Sequence, residues 1–239
     1  MKIVIIISTI LSMRCAFAAD STNDLGPVIK QYLLDHPEVV AESLQRYYLI
    51  QQAEQGARTK AAIAAHEAEL LRDAESPGAG SPAAPVTIVE FFDYRCGYCK
   101  HAAPIVLKTL EGHADVRLVF KELPLLGADS EIAAKAALAS HRQGAYLKFH
   151  EALMNDSGPL TLQGVERIAS ELGLDLAKLR EDMESTKIRE AIERNKQLAK
   201  TIRVASTPSF VVAGELLAGL SDGTELQALI EKAEQALRK

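Results

Sequence analysis

Residues 85–100 read PVTIVEFFDYRCGYCK. The first eight are mostly β-branched or aromatic and have the length of one buried strand. A helix is expected to begin at Cys96 and run to Gly112 as a C-terminal cap, with Pro104 kinking it. The segment thus places a C-x-x-C pair, Cys96 and Cys99, where a strand gives way to a helix.

That placement has chemical consequences. Residues i and i+3 of a helix carry Cβ atoms about 5–6 Å apart, close to the ~3.5–4.5 Å that a disulfide spans. The pair can cycle between dithiol and disulfide with little backbone movement. At the helix N-terminus, unpaired N–H groups and the macrodipole favour an anion, so Cys96 is expected to be the attacking thiolate. Cys99, one turn inward, is the expected resolving thiol. Other readings are weaker. A structural disulfide here would close a tiny loop and restrict the unfolded chain little. Structural zinc needs four ligands, and there is no second C-x-x-C, although His101 could add a third. Covalent haem needs C-x-x-C-H, and Lys100 takes the fifth position. Capture of Cu(I) by the two thiolates remains chemically reasonable, because soft sulfur suits soft copper. Only Met154 and Met183 lie beyond the N-terminal segment, so no methionine-rich tract supports it. His101, His113, His141 and His150 form no ligand spacing and read as solvated or capped.

Working outward, residues 116–122 (VRLVFKE) give a second strand, and a helical block fills roughly 129–201. Within it Val165, Ile168, Ala169 and Leu172 form a core-facing stripe behind Thr161 as cap. Tyr146, Phe149 and Leu153 make another. Strands are expected at 209–213 and 216–219, turning at Gly214-Glu215. A last helix follows, capped by Ser221 or Asp222, with Leu226, Leu229, Ile230, Ala233 and Leu237 on one face. This order predicts an α/β fold: two βα halves, a terminal antiparallel hairpin and a mixed sheet covered by helices.

Upstream, residues 24–74 read as helical. Pro37 suits a first turn, and Gly56 suggests a division into two helices. Gln51 and Glu54 interrupt any heptad. Residues 76–84, beginning SPGAGSP, read as a linker. The first 18 residues have Lys2, an aliphatic run over 3–13 and Ala16-Phe17-Ala18, the pattern of a cleavable secretory signal peptide. Eleven apolar residues at ~1.5 Å each cover only about half of a ~30 Å bilayer core. Cys15 would leave with the signal, and the residues before it do not fit lipid attachment.

Of 239 residues, 48% are hydrophobic and 25% charged, a composition suited to a folded domain. The net charge is −5. Removing Lys2 and Arg14 with the signal leaves a more acidic chain, without the positive field that nucleic-acid binding needs.

PVTIVEFFDYRCGYCK, together with Thr207-Pro208-Ser209-Phe210, resembles the DsbA-type thioredoxin-fold oxidoreductases. It looks closest to their periplasmic ScsC-like (suppressor of copper sensitivity C) branch. The resemblance covers about residues 80–239. It implies a thioredoxin-like domain over 85–239 with a helical insertion at about 127–201, and an N-terminal helical segment, 19–75, that serves oligomerisation. It implies a periplasmic thiol-disulfide oxidoreductase or isomerase without a cofactor. Its substrates would be exported proteins with thiols or disulfides, and a membrane redox partner would reset it. Copper tolerance through the same thiolates is the alternative.

Residue by residue, the resemblance makes Cys96 the nucleophile, Cys99 the resolving thiol and Gly97-Tyr98 the dipeptide that tunes the potential. Pro208 matches the family's cis-proline, and Thr207 pairs with the client chain. Glu90 matches the buried acid that exchanges a proton with Cys99, and Lys121 is its expected partner. Strong oxidants of the family often carry His where this chain has Tyr98, and Val where it has Thr207. Both departures tilt the expectation toward isomerase or reductase behaviour.

Overall fold

The computed structural model describes residues 25–238. The expected signal peptide, with Cys15, lies outside them. The chain divides into two units between Gln52 and Ala53.

The described part of the first unit contains helix α1 (Gly26–Asp35) and the start of α2 (Pro37–Ala65). Pro37 opens α2, where its missing N–H is not needed. Large apolar side chains such as Leu44, Tyr47, Tyr48 and Ile50 are exposed here. Gly56 does not split the helix; α2 runs unbroken past it to Ala65. One glycine costs a helix only ~1 kcal/mol.

The second unit continues with α3 (Glu67–Leu71), β1 (Gly78–Gly80), β2 (Val86–Phe92), α4 (Gly97–Gly112) and β3 (Val116–Glu122). Five helices follow: α5 (Ala128–Arg142), α6 (Tyr146–Asn155), α7 (Leu162–Glu171), α8 (Leu176–Met183) and α9 (Thr186–Thr201). The chain then forms β4 (Ser209–Val212), β5 (Glu215–Ala218) and α10 (Thr224–Leu237). The strands make one mixed sheet in the order β1-β3-β2-β4-β5. Only β2 and β3 pair in parallel; the other neighbours are antiparallel.

Strand alternation sorts the central residues onto two faces. Ile88, Phe92, Leu118, Phe120 and Phe210 belong to a core shared with α4, the inserted helices and α10. Val89, Phe91, Val119 and Val211 face the other way, against Ile63, Leu70 and the end of α9. Helix α5 buries five alanines, which lets α6, α7 and α8 approach closely.

Several expectations are corrected. Residues 76–84, read as a linker, contain strand β1, paired antiparallel to β3. A Cβ at Gly80 would lie 2.8 Å from the Val116 carbonyl, and its φ is +86°. Glycine therefore permits an edge strand there despite its poor strand propensity. Residues 19–75 are not wholly outside the sheet's core, since Ile63 and Leu70 are buried against it. The hairpin turn is Ala213-Gly214, one residue earlier than expected, with both φ positive. Gly223, rather than Ser221 or Asp222, is the N-cap of α10, although Asp222 Oδ1 accepts from the Thr224 N–H at 2.9 Å. Thr161 caps α7 as expected, accepting from Gly164 N.

Candidate active site

Strand β2 ends at Phe92, and a tight turn leads into α4 with Cys96 as its N-cap. The Cys96 N–H donates to the Asp93 carbonyl at 3.0 Å. Asp93 is itself buried. Its carboxylate accepts from Arg95 N (2.8 Å), Leu125 N (2.7 Å), Leu126 N (3.0 Å) and Ser130 Oγ (2.7 Å). Arg95 Nη1 adds a bond to the Leu126 carbonyl at 3.0 Å. Such a brace locks the turn that aims Cys96.

Cys96 and Cys99 are both free thiols. Cys96 keeps 8% exposure, whereas Cys99 has none. Burial pushes the Cys99 thiol far above its ordinary value. Gly97 and Tyr98, between them, are exposed, Tyr98 at 77%. The Thr207-Pro208 peptide is cis, and Cys96 Sγ donates to the Thr207 carbonyl at 3.2 Å. The fold thus joins residues 111 positions apart in the chain. Lys100 bonds the Leu153, Met154 and Asp156 carbonyls at the end of α6, anchoring α4 to the insertion.

Glu90 lies on the active-site face of β2, opposite Phe120 on one side and Phe210 on the other. It is 1% exposed, and its Oε1 has no hydrogen-bond partner. Burial raises its carboxyl from 4.5 to about 8. The unfolded chain would release this proton first, so the stability linked to it is full below about pH 4.5 and is lost as pH rises toward 8. Glu90→Gln is therefore expected to exceed the native chain in stability by about 3 kcal/mol at pH 7, with little difference near pH 4.5. Urea unfolding at the two pH values checks it; equal differences at both would mean that Glu90 ionises freely in the folded state.

Lys121 is not the partner of Glu90. It sits opposite Phe91, on the other face of β3. There its ammonium donates to the Glu69 carbonyl (2.7 Å) and Ser76 Oγ (2.8 Å) and lies 3.4 Å from Asp73. Strand alternation along VRLVFKE puts Lys121 and Glu122 on opposite faces, and the register with β2 gives the Glu90 face to Glu122.

Glu122 is the residue the sequence reading missed. It is buried, and its Oε1 accepts from the hydroxyls of Tyr94 (3.0 Å) and Tyr146 (2.8 Å). His150 Nδ1 lies 3.0 Å from the Tyr94 oxygen. Against the expectation of a solvated or capped ring, His150 is 1% exposed, among Phe92, Phe120 and Tyr146. Burial pushes it down to about 3, so it is neutral there. Among the described residues, no group of three or more His, Cys, Asp or Glu side chains is arranged to hold a metal ion. No helix among them is long and apolar enough to cross a membrane.

Residues 87–231 match the DSBA-like thioredoxin domain. A thioredoxin-like oxidoreductase from Silicibacter pomeroyi DSS-3 is 41% identical, with a TM-score of 0.67 over 70% of this chain and 97% of that one. The catalytic domain of Proteus mirabilis ScsC is 26% identical, with a TM-score of 0.67 over 73% of this chain and 97% of that one. Disulfide bond formation protein D of Bacillus subtilis is 29% identical over 171 residues, which cover 65% of this chain and 76% of that protein. The Na(+)/H(+) antiporter NhaA 3 of Salinispora tropica is 33% identical over 161 residues, 66% of this chain but 25% of that protein. The chain therefore spans about a quarter of the length of such curated relatives.

Proposed function

The chain belongs to the DSBA-like thioredoxin family, and from that premise we propose that it is a thiol-disulfide oxidoreductase acting on exported proteins through Cys96 and Cys99. One observation carries the reading. Cys96, the less buried of the two cysteines, stands at the N-cap position of α4 with its Sγ 3.2 Å from the carbonyl preceding the cis-proline, while Cys99 is fully buried within the first turn.

In the reducing direction, the Cys96 thiolate attacks a client disulfide. A Cys96–client S–S bond forms, and the other client sulfur leaves as a thiolate. Cys99 then gives its proton to the Glu90 carboxylate, and its sulfur attacks Cys96 Sγ. The Cys96–Cys99 disulfide forms, the client sulfur leaves reduced, and the proton stays on Glu90. In this reading the main chain at Thr207 pairs with the client's extended backbone. A dithiol of a membrane redox partner returns the enzyme disulfide to the thiol state. Run backwards, the same steps oxidise a client dithiol, with protonated Glu90 supplying the proton to departing Cys99.

Tyr98 and Thr207 tilt the proposal toward isomerase or reductase work. A periplasmic location fits the signal-like pattern of residues 1–18 and the likeness to a periplasmic thioredoxin-like protein from Salmonella enterica serovar Typhimurium, 31% identical. Self-association through the N-terminal helices fits the exposed apolar side chains of α1 and early α2, since such helices do not bury an apolar face alone.

Insulin reduction and the refolding of scrambled ribonuclease test the activity. The native chain is expected to accelerate both, and Cys96→Ser to fall to the background rate. Equal rates for the two proteins would end this reading.

A further inference from the structure

Strands β2 and β3 run parallel, with Glu90 opposite Phe120 and Phe92 opposite Glu122. The two glutamates are thus diagonal neighbours on one face. Strand spacing and rise put their Cα atoms about 8 Å apart, a gap that two glutamate side chains can close. Each residue is 1% exposed. Each also leaves one oxygen without a partner: Oε1 of Glu90 and Oε2 of Glu122. The other oxygen of Glu122 already accepts two tyrosine hydroxyls.

Buried carboxyl oxygens are seldom left unpaired, and two carboxyls in one dry site do not both ionise readily. A single proton between the two free oxygens resolves both difficulties. We propose that Glu122 is a positioning residue for thiol exchange: as a neutral acid it donates from Oε2 to Oε1 of Glu90, directly or across one water, and so stabilises the Glu90 carboxylate that receives the Cys99 proton. This inference rests on the oxidoreductase reading above.

The buried Asp93 carboxylate, held by four donors, bears on Glu122 and disfavours a second charge there. Burial pushes the Glu122 carboxyl well up; the hydroxyls of Tyr146 and Tyr94 oppose this, and the charges of Asp93 and Glu90 reinforce it. Glu90, raised to about 8, is the acid that ionises within a working range. The other titratable groups around the pair are Tyr94 and Tyr146, whose hydroxyls bond Glu122, and His150 on α6, neutral above about 3. Asn195 on α9 donates to the main-chain oxygen of Glu122 at 3.1 Å and adds no charge. Lys121, the cation nearest in sequence, is on the opposite face.

The test follows Glu90 and the chemistry separately, in the full chain. Carboxyl-selective ¹³C NMR reads the ionisation midpoint of Glu90. Stopped-flow release of a preformed Cys96–peptide mixed disulfide reads the Cys99 step against pH. Removing a hydrogen bond to a charged group is expected to move both midpoints in Glu122→Leu upward by about one pH unit. At pH 7 that slows release about tenfold. Glu122→Gln keeps a donor and is expected to restore most of the shift, a rescue that mere packing would not produce. In the native chain the Glu122 carboxyl should stay neutral while Glu90 titrates, a readout that needs no variant to fold. The proposal is overturned if Glu122 ionises first, if Glu122→Leu leaves the Glu90 midpoint unchanged, or if Glu122→Gln shifts it as far as leucine does. Were the native chain to show the shared proton but no thiol exchange, the oxidoreductase reading would fail and with it the role of Glu122 in exchange, while the Glu122–Glu90 hydrogen bond would stand.

Discussion

Cys99→Ala is expected to stop turnover while leaving capture intact, so that the protein accumulates as a Cys96–client mixed disulfide. The argument is geometric. Cys96 is the thiol with access to solvent and to the Thr207 carbonyl, and Cys99 has no exposure at all. A client sulfur can reach the first and not the second. Once capture has occurred, release needs a sulfur one turn into α4, and Cys99 is the other free thiol among the described residues. Alanine removes that sulfur at little packing cost, because it suits a helix interior and takes no more room. Non-reducing gel electrophoresis of Cys99→Ala with a reduced or scrambled client should show a stoichiometric adduct that dithiothreitol dissolves. The double variant Cys96→Ser/Cys99→Ala should show none. An adduct formed by Cys96→Ser through Cys99 would invert the roles assigned here, and continued turnover in Cys99→Ala would mean that clients resolve their own adducts.

Lys121→Ala is expected to cost about 3–5 kcal/mol of stability, the range for breaking a buried ion pair from one side. The Lys121 side chain is fully buried on the face away from the cysteines. Its ammonium holds Asp73, the Ser76 hydroxyl and the Glu69 carbonyl. It therefore ties the α3–β1 segment to β3. Burial alone would raise the Asp73 carboxyl, but Lys121, the Glu75 N–H and Arg194 outweigh it, and the net shift is downward. A depressed carboxyl contributes stability that is present above its ordinary value of 3.8 and lost as pH falls through its lowered folded value. The penalty of Lys121→Ala should accordingly shrink at strongly acid pH. Lys121→Met, which fills the volume without the charge, should recover part of the loss. Guanidinium unfolding curves at neutral and acid pH measure both effects. If Lys121→Ala unfolds at the native midpoint, the ammonium anchors nothing. Because the two residues face opposite sides of β3, Lys121→Met should leave the pH profile of the Cys99 step unaltered, unlike Glu122→Leu.

Much of the site was legible in the chain because its main parts are local. The alternation of PVTIVEFF, the start of a helix and a three-residue cysteine spacing are near-neighbour properties, fixed by backbone sterics and by which side chains follow one another. They located β2, α4, Cys96 and Cys99; Glu90 was singled out by the family resemblance, and its face is fixed by the register of β2 with β3 and β4. The family resemblance added Thr207-Pro208, which the backbone presents in the cis form beside Cys96. Composition misled wherever a weak local preference was overridden by distant packing. Gly78–Gly80 pairs as a strand because β3 offers it an edge, and Gly56 stays helical within a continuous α2.

What the amino-acid order determined alone was the motif, its strand-to-helix setting and the periodicity of the elements around it. The tertiary structure decided which side chains meet: Cys96 with the Thr207 carbonyl, Lys121 with the α3–β1 segment, and Glu122 with two tyrosines from different elements. The physical reason is that spacing along a chain constrains a side chain's direction within one or two turns of its own backbone. Partners brought by another strand or helix depend on pairing register, and that is set by burial of the sheet's two faces together.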